Sequence, residues 1–162
     1  MNLPENVTIR PAREEDEATI QAMVREARLD PSQLRWSQFL VALVPDAALR
    51  QAQEPGQKSR AQFIGVGQLR RYGAVQELGS LLVLPEWREK GIGAALVRAL
   101  VARREGLLFL ECVTAMAPYY EKFGFRRVKW YNVPWPLKAK FGLSSLIGWF
   151  FGGLVAMRYE GE

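Results

Sequence analysis

The sequence predicts a single globular domain of mixed α-helices and β-strands that occupies residues 1–162. A chain of 162 residues is about the size of one ordinary domain, long enough for one sizeable core and too short for two. Hydrophobic residues make up 49% of the chain and charged residues 24%, which is a globular rather than a disordered composition. Segments with strand-like and helix-like patterns follow one another along the chain.

The first half predicts several strands and one amphipathic helix. The helix lies in "PAREEDEATIQAMVREA", where acidic residues precede a buried stripe of Ile20, Met23, Val24 and Ala27. A break and a short helix follow in "RLDPSQLRW". The predicted strands are Val7–Arg10, Phe39–Val44, "AQFIGVGQLRRYG" and "AVQELGSLLVL". The last of these ends in the apolar run 81–84, which predicts a strand end buried on both faces.

The second half alternates helices and strands. A helix is predicted from Gly91 to about Glu105, followed by the strand "GLLFLECV" and by a short helix in "TAMAPYYEKFGF" that Gly124 ends. A final strand is predicted at "LVAMRYE". The apolar face of the longer helix is formed by Ile92, Ala95, Leu96, Ala99 and Leu100.

Two segments fit no single regular element. Residues 46–60 are polar around Pro55-Gly56, which predicts an exposed hairpin connection or insertion. The stretch from Phe141 to Met157 has no charged residue but contains four glycines and two serines, so we expect a loop and an internal strand rather than membrane insertion.

The absence of histidine limits the chemistry. It excludes a Ser-His-Asp triad, a Cys-His pair, a histidine general base and a histidine metal ligand, and we expect no metal. Catalysis must then use carboxylates, hydroxyls, lysine, the backbone or water. The single cysteine, Cys112, suits a reducing compartment and lacks the histidine partner expected of an acyl-carrying nucleophile.

The chain is basic, with a net charge of +5. This charge is compatible with nucleic acid, an acidic membrane surface or an anionic small ligand. Because the basic residues are scattered, we expect no nucleic-acid partner. The start "MNLPENVTIRPA" does not have the pattern of a secretory signal, and we expect a cytoplasmic protein. We further expect a monomer or a homodimer.

The stretch "LPEWREKGIGAALVRAL" joins a strand to a helix through a glycine-rich turn. Backbone N–H groups at a helix N-terminus bind phosphate oxygens, and Arg88 and Lys90 add positive charge. A tight turn with no ligand is the alternative. A Walker loop is excluded because Ala94 and Ala95 follow the last glycine, where that loop needs a Lys-Ser/Thr pair. A dinucleotide-binding fingerprint stays open: its third glycine is absent, but Glu111 lies near the spacing of the residue that binds the ribose.

The segment "REKGIGA" resembles the Arg/Gln-x-x-Gly-x-Gly/Ala signature of the GNAT superfamily of acyl-CoA-dependent N-acetyltransferases. The preceding "LLVLPEW" resembles the splayed strand of that family, "APYYEKFGF" resembles a later helix and strand start, and "IRPAREED" is similar to its opening. The resemblance covers residues 75–128 well and 7–44 loosely, and it leaves 129–151 unmatched.

The resemblance implies an α/β (mixed, α+β) fold in which a central mixed sheet is splayed between two parallel strands and flanked by helices. It implies acetyl-CoA as co-substrate, with the pantetheine amides paired to the backbone of Leu82, Val83 and Leu84. The pyrophosphate would be held by Arg88, Glu89, Lys90, Gly91, Ile92, Gly93 and Ala94.

The resemblance also implies the acid–base residues. Acetyl transfer to an amine requires a group that takes the amine proton and a group that protonates the departing thiolate. Glu77 matches the catalytic glutamate of the histone-acetylating branch and is the first candidate base, and Glu111 matches the glutamate of branches that acetylate protein N-termini. Tyr120 matches the tyrosine that protonates the CoA sulfur. The alternatives are a surface glutamate at a strand edge for Glu77 and a core tyrosine for Tyr120.

We therefore expect an N-acetyltransferase that acts on a primary amine of a small molecule or amino acid. Peptide or protein N-terminal or lysine acetylation, and a non-catalytic CoA-binding or partner-docking domain, remain alternatives. The segments "ARLDPSQLRW" and "WYNVPWPLKAKFG" are expected to shape the acceptor side, and 129–151 to complete that site or a subunit contact. The candidate acceptor residues are Arg28, Arg35, Lys138, Trp36, Trp130 and Trp135, and the aromatic cluster of 129–151 comprises Trp130, Tyr131, Trp135, Trp149, Phe150 and Phe151.

Overall fold

A computed structural model describes residues 3–45, 61–135, 137–141 and 153–161. The strands are β1 (Thr8–Pro11), β2 (Phe39–Pro45), β3 (Ala61–Tyr72), β4 (Val75–Val83), β5 (Leu107–Val113), β6 (Phe125–Val128) and β7 (Leu154–Tyr159). The helices are α1 (Glu17–Glu26), α2 (Ile92–Ala102) and α3 (Ala117–Glu121), and residues 137–141 are also helical. The predicted segment 46–60 and the aromatic residues Trp149, Phe150 and Phe151 lie outside the described residues.

Among the described residues, seven strands form one mixed sheet in the order β1-β2-β3-β4-β5-β7-β6. The pairs β1–β2, β2–β3, β5–β7 and β6–β7 are antiparallel, whereas β4 and β5 are parallel. The predicted mixed α/β fold is thus confirmed. Within the described part of the chain, no helix is both long and apolar enough to cross a membrane.

The parallel ladder between β4 and β5 is short. It runs from Val75–Leu107 to Glu77–Phe109, although β4 continues to Val83. Ser80, in the middle of β4, has a left-handed backbone with φ of 47°, which interrupts the regular strand geometry. The expectation that the run 81–84 is buried on both faces is wrong: these residues are only half-buried, because they lie beyond the end of the ladder with β5.

The chain forms two compact units. The first comprises Met1–Gln68 and Ser80–Leu100, and the second comprises Leu69–Gly79 and Val101–Glu162. Each unit has its own hydrophobic cluster. The assignment of 1–162 to a single domain stays a prediction.

In the first unit, α1 and α2 cover opposite faces of the sheet. Ile20 and Val24 of α1 pack in one cluster with Val66 of β3, as the predicted stripe requires. Gly65 and Gly67 alternate with Val66, so they face the other side. A Cβ at Gly67 would lie 2.8 Å from Leu100 Cδ1, and one at Gly65 would lie 3.3 Å from Leu96 Cδ1, so the two glycines let α2 approach the strand.

In the second unit, a segment near the C-terminus covers the sheet with a helical turn that the sequence analysis did not predict. The Lys138 N–H donates to Pro134 O at 3.1 Å, and residues 137–141 continue as a helix. Leu137 and Phe141 are buried against Val75 and Phe109. The spacing of the buried residues 133, 137 and 141 is that of one helix face, and this was the sequence signal available.

Candidate functional site

The junction between β4 and α2, in the first unit, carries the glycine-rich turn. A 3-10 turn at Pro85–Trp87 follows β4, and Glu89 and Gly91 then take positive φ values of 62° and 80°. The Ala95 N–H donates to Gly91 O at 3.0 Å and begins the hydrogen bonds of α2. The N–H groups of the first-turn residues 92–94 therefore lack helical acceptors, which is the arrangement that binds a phosphate.

The charged side chains beside this turn are exposed. Arg88 Nε donates to Val83 O at 3.2 Å, and Lys90 Nζ lies 4.7 Å from the centroid of the Trp87 ring. Both cations thus remain in the solvent-accessible part of the junction, where they add favourable charge for an anion. The residues present fit the pyrophosphate of acetyl-CoA.

The backbone at the end of β4 has two edges. The Leu84 N–H donates to Ile64 O at 2.9 Å, so it is used in pairing with β3. Successive residues of a strand direct their peptide groups to alternate edges, and the N–H and C=O of Val83 therefore point away from β3. Of the three residues expected to pair with pantetheine, Val83 directs both groups away from β3, and its C=O accepts from Arg88 Nε.

In the second unit, Glu77 lies in a buried polar cluster. Lys140 Nζ donates to its two carboxylate oxygens at 2.7 and 2.6 Å, Arg70 Nη1 donates at 3.3 Å, and Tyr72 Oη donates at 3.2 Å. Glu77 is 4% exposed and Arg70 is 1% exposed, so the alternative of a surface glutamate is wrong. The guanidinium of Arg70 lies where a Cβ at Gly79 would be, which explains the glycine.

Sequence reasoning missed the three partners of Glu77. Arg70 and Tyr72 are two residues apart in β3, a spacing that places both on one face of the sheet. Lys140 lies on the helical segment that was not predicted. The alternation in β3 and the helical spacing of 133, 137, 140 and 141 were the available signals.

Glu111 shares a face of the sheet with Glu77. Glu77 is paired in register with Phe109, and Glu111 follows Phe109 by two residues in β5. Glu111 is half-buried and pairs with Ala156 of β7. The fold thus places both candidate bases on one side of the second unit.

Tyr120, in α3, is 9% exposed and packs edge-to-face with Tyr119 and Phe125 at centroid distances of 5.2 and 6.1 Å. Burial, together with the nearby Cys112 and Tyr119, raises the pKa of its hydroxyl well above the ordinary value, so the phenol stays protonated at neutral pH. Tyr120 is therefore a core tyrosine that still has a proton to donate.

Cys112 is a thiol rather than a thiolate at neutral pH. Burial raises its pKa to about 11, although Arg127 acts in the opposite direction, and its Sγ lies 3.9 Å from Met157 Sδ. This environment supports the expectation that Cys112 carries no acyl group.

The candidate acceptor residues occupy both units. In the first unit, Arg28 and Arg35 are exposed and Trp36 is half-buried. In the second, Trp130 and Trp135 are 54% and 76% exposed, and Lys138 Nζ donates to Tyr131 O at 2.9 Å. Within the described residues, no cluster of three or more cysteine or carboxylate side chains is arranged to hold a metal ion.

Comparison with known proteins identifies the family. The family model described as "Acetyltransferase (GNAT) domain" matches residues 37–127, more than half of the chain. The chain belongs to the GNAT acetyltransferase family. The resemblance inferred from "REKGIGA" is confirmed, and acetyl-CoA is the co-substrate of GNAT enzymes. No curated protein matches the sequence significantly.

Solved structures have the same GNAT fold. N-acetylglutamate synthase from Neisseria gonorrhoeae, complexed with coenzyme A and N-acetyl-glutamate, is similar with a TM-score of 0.69 and 16% identity over 96% of this chain and 35% of that chain. Rv2747 from Mycobacterium tuberculosis, in complex with CoA and NLQ, has a TM-score of 0.66 and 20% identity over 94% of this chain and 98% of that chain. Arabidopsis thaliana NAA60, in complex with a bisubstrate analogue, has a TM-score of 0.57 and 15% identity over 96% of this chain and 99% of that chain. This GNAT chain spans about a third of the gonococcal enzyme.

Proposed function

We propose that this GNAT protein transfers the acetyl group of acetyl-CoA to a primary amine of a small molecule or amino acid. The match to the GNAT domain is the observation that supports acetyl transfer. The amino acid acceptor is supported by similarity in fold to the gonococcal synthase, whose complex contains N-acetyl-glutamate. We expect the protein to act in the cytoplasm as a monomer or a homodimer.

Donor binding is proposed for the β4–α2 junction. The N–H groups of Ile92, Gly93 and Ala94, with Gly91 at the turn, hold the pyrophosphate, and Arg88 and Lys90 add charge. Glu89 supplies the left-handed residue before the turn. The backbone of 82–84 pairs with the pantetheine amides, chiefly through Val83. Acetyl-CoA supplies the thioester whose C–S bond breaks.

The acid–base chemistry is proposed for Glu111 and Tyr120. Glu77, the first candidate base from the sequence, already accepts hydrogen bonds from Lys140, Arg70 and Tyr72. The amine nitrogen attacks the acetyl carbonyl carbon, the new C–N bond forms, and the C–S bond breaks. Glu111 takes the proton of the amine, directly or through water, and Tyr120 donates its proton to the sulfur. The raised pKa keeps the Tyr120 hydroxyl protonated at neutral pH, so it holds the proton that the thiolate needs.

The first test measures the binding of acetyl-CoA and of CoA by thermal unfolding of the protein. Saturating ligand raises the melting temperature of the parent protein if the donor site is correct. Arg88→Ala weakens acetyl-CoA binding about tenfold, as expected for the loss of a charge-assisted contact. Arg103→Ala, which removes an exposed arginine after the end of α2, is the matched control and binds like the parent. The absence of any shift for the parent contradicts the donor site.

The second test is release of the CoA thiol in the presence of amines, amino acids and peptides. Turnover with an amino acid or small amine supports the proposal, and Glu111→Gln then lowers kcat at least a hundredfold while acetyl-CoA affinity is unchanged. Turnover with peptides alone favours N-terminal or lysine acetylation. Binding of CoA without turnover favours a docking domain, a candidate that the exposed Trp130, Tyr131 and Trp135 support.

A further inference from the structure

The Glu77 carboxylate has its acceptor sites filled by the protein itself. Oε1 accepts hydrogen bonds from Arg70 and Lys140, and Oε2 accepts from Tyr72 and Lys140. A carboxylate has about four lone-pair sites, and four hydrogen bonds occupy them. A general base must offer a lone pair to the substrate proton, so Glu77 would have to release one of these donors before it could act.

Lys140 is the partner of Glu77 that comes from a different part of the chain. It lies on the helical residues 137–141, and it shares a face with Leu137 and Phe141 because residues three and four apart lie on the same side of a helix. Leu137 and Phe141 are buried against the same face of the sheet that carries Glu77 and Phe109. Within the described residues, the burial of Leu137 and Phe141 and the ion pair of Lys140 with Glu77 therefore hold the segment on the sheet.

The exposed aromatic residues lie immediately before this anchored turn. Lys138 connects the two, since its Nζ donates to Tyr131 O at 2.9 Å and lies 5.3 Å from the centroid of the Trp130 ring. Lys138 thus links Trp130 and Tyr131 to the helical turn. Under the proposed function, this stretch is part of the acceptor side of the enzyme.

We propose that Glu77 and Lys140 are positioning residues: their buried ion pair fixes residues 137–141 on the sheet and so sets the part of the acceptor site formed by 129–135 and 137–141. Proton transfer is left to Glu111. The proposal rests on the proposed acetyltransferase function for its consequence in substrate binding, but the ion pair and its effect on the segment do not depend on turnover.

Hydrogen exchange of the intact protein tests the anchoring without any substrate. Lys140→Met keeps the stem of the side chain and removes the ammonium, and Glu77→Gln keeps the shape and removes the charge. Each variant is expected to exchange the backbone amides of 137–141 at least ten times faster than the parent. Lys122→Met, the same change at an exposed lysine outside the cluster, is expected to exchange these amides like the parent. Unchanged exchange in Lys140→Met and Glu77→Gln overturns the proposal even if the protein is an active acetyltransferase.

Steady-state kinetics with the amine identified by thiol release test the consequence. Lys140→Met and Glu77→Gln are expected to raise the KM for the amine about tenfold, with kcat within about threefold and the KM for acetyl-CoA unchanged. The KM of the double variant for the amine is expected to be no higher than the higher of the two single-variant values, because each change breaks the same ion pair. Lys140→Arg, which can still donate to Glu77, is expected to restore most of the amine affinity.

The pH–rate profile separates positioning from proton transfer. The acidic limb of kcat is expected to remain in Glu77→Gln and to disappear in Glu111→Gln. A hundredfold loss of kcat and of the acidic limb in Glu77→Gln, with Lys140→Met close to the parent, overturns the proposal and makes Glu77 the base. If the parent turns over no amine, the proposed function fails, and the exchange result still decides whether the ion pair anchors the segment.

Discussion

The ammonium of Lys140 lies 2.7 and 2.6 Å from the two carboxylate oxygens of Glu77, a residue 63 positions earlier in the chain. The Glu77 side chain is 5% exposed and the Lys140 side chain 22%, so water competes little for this pair. The contact joins the start of β4 to the helical turn near the C-terminus. A glutamate at the position of a family base is thus held by the protein's own cations.

Asp16 is expected to stabilise the entry to α1. Its carboxylate accepts hydrogen bonds from Arg10 Nη1 and from the Arg13 N–H, both at 2.7 Å. Burial alone raises the pKa of Asp16, but these hydrogen bonds outweigh it and hold the pKa below its ordinary value. We expect Asp16→Asn to lower the free energy of unfolding at pH 7 by about 1.5–3 kcal/mol.

Urea denaturation at pH 7 and pH 3 checks the pH dependence of this contribution. A lowered folded-state pKa means that the contribution is present above about pH 4 and is lost as the pH falls, so the gap between parent and variant should narrow at pH 3. Glu15→Gln is the control, since the Arg13–Glu15 pair is about two-thirds exposed, and it should change stability by less than about 0.5 kcal/mol. A gap as wide at pH 3 as at pH 7 contradicts the prediction.

Ser80 provides a test of backbone strain in β4. Its φ is 47°, and its Oγ donates to Gln68 Oε1 at 3.1 Å. Ser80→Ala and Ser80→Gly both lose the hydroxyl, but only glycine adopts this φ without strain. We therefore expect Ser80→Gly to be about 1 kcal/mol more stable than Ser80→Ala in thermal or urea unfolding. Equal stability of the two variants is the opposing result.

Cys112 should make the protein less stable at alkaline pH. Its pKa is about 11 in the folded protein, so the thiol of the unfolded chain ionises first between about pH 9 and 11, and stability falls as the pH rises. Two pKa units represent about 2.7 kcal/mol, but solvent screens this half-buried thiol and we expect about 1 kcal/mol. Over this pH range, the parent should lose that much more stability than Cys112→Ala, as measured by urea unfolding.

Tyr120 is expected to contribute to kcat through its hydroxyl. Tyr120→Phe keeps the ring and its packing, so we expect a loss of kcat of about 10²-fold or more with little change in acetyl-CoA affinity. The raised pKa keeps the hydroxyl protonated, so the loss should be the same at every pH from 6 to 9. Tyr119→Phe, which changes the adjacent ring in the same way, should retain activity. An undiminished kcat in Tyr120→Phe would leave Tyr120 with only its packing role.

The parts of the fold that could be predicted are those set by near neighbours in the chain. The three-four spacing of Ile20 and Val24 indicated α1, and both side chains are buried. Tyr72-Gly73 indicated the turn between β3 and β4, where Gly73 has a φ of 65°. The prediction that the run 81–84 is buried on both faces was wrong, because an apolar run indicates only that a strand is hydrophobic and not how far it is paired with its neighbour.

The sequence by itself determined the secondary structure around the junction, the residues of the "REKGIGA" turn and the absence of histidine chemistry, since each depends on composition or on residues a few positions apart. Only the tertiary structure decided that Arg70, Tyr72 and Lys140 surround Glu77 and that Glu111 shares its face of the sheet. The physical reason is that an ion pair forms wherever folding brings opposite charges together. Strand order and the packing of the helical turn at 137–141 determine which charged residues come into contact, and no local sequence pattern predicts those contacts.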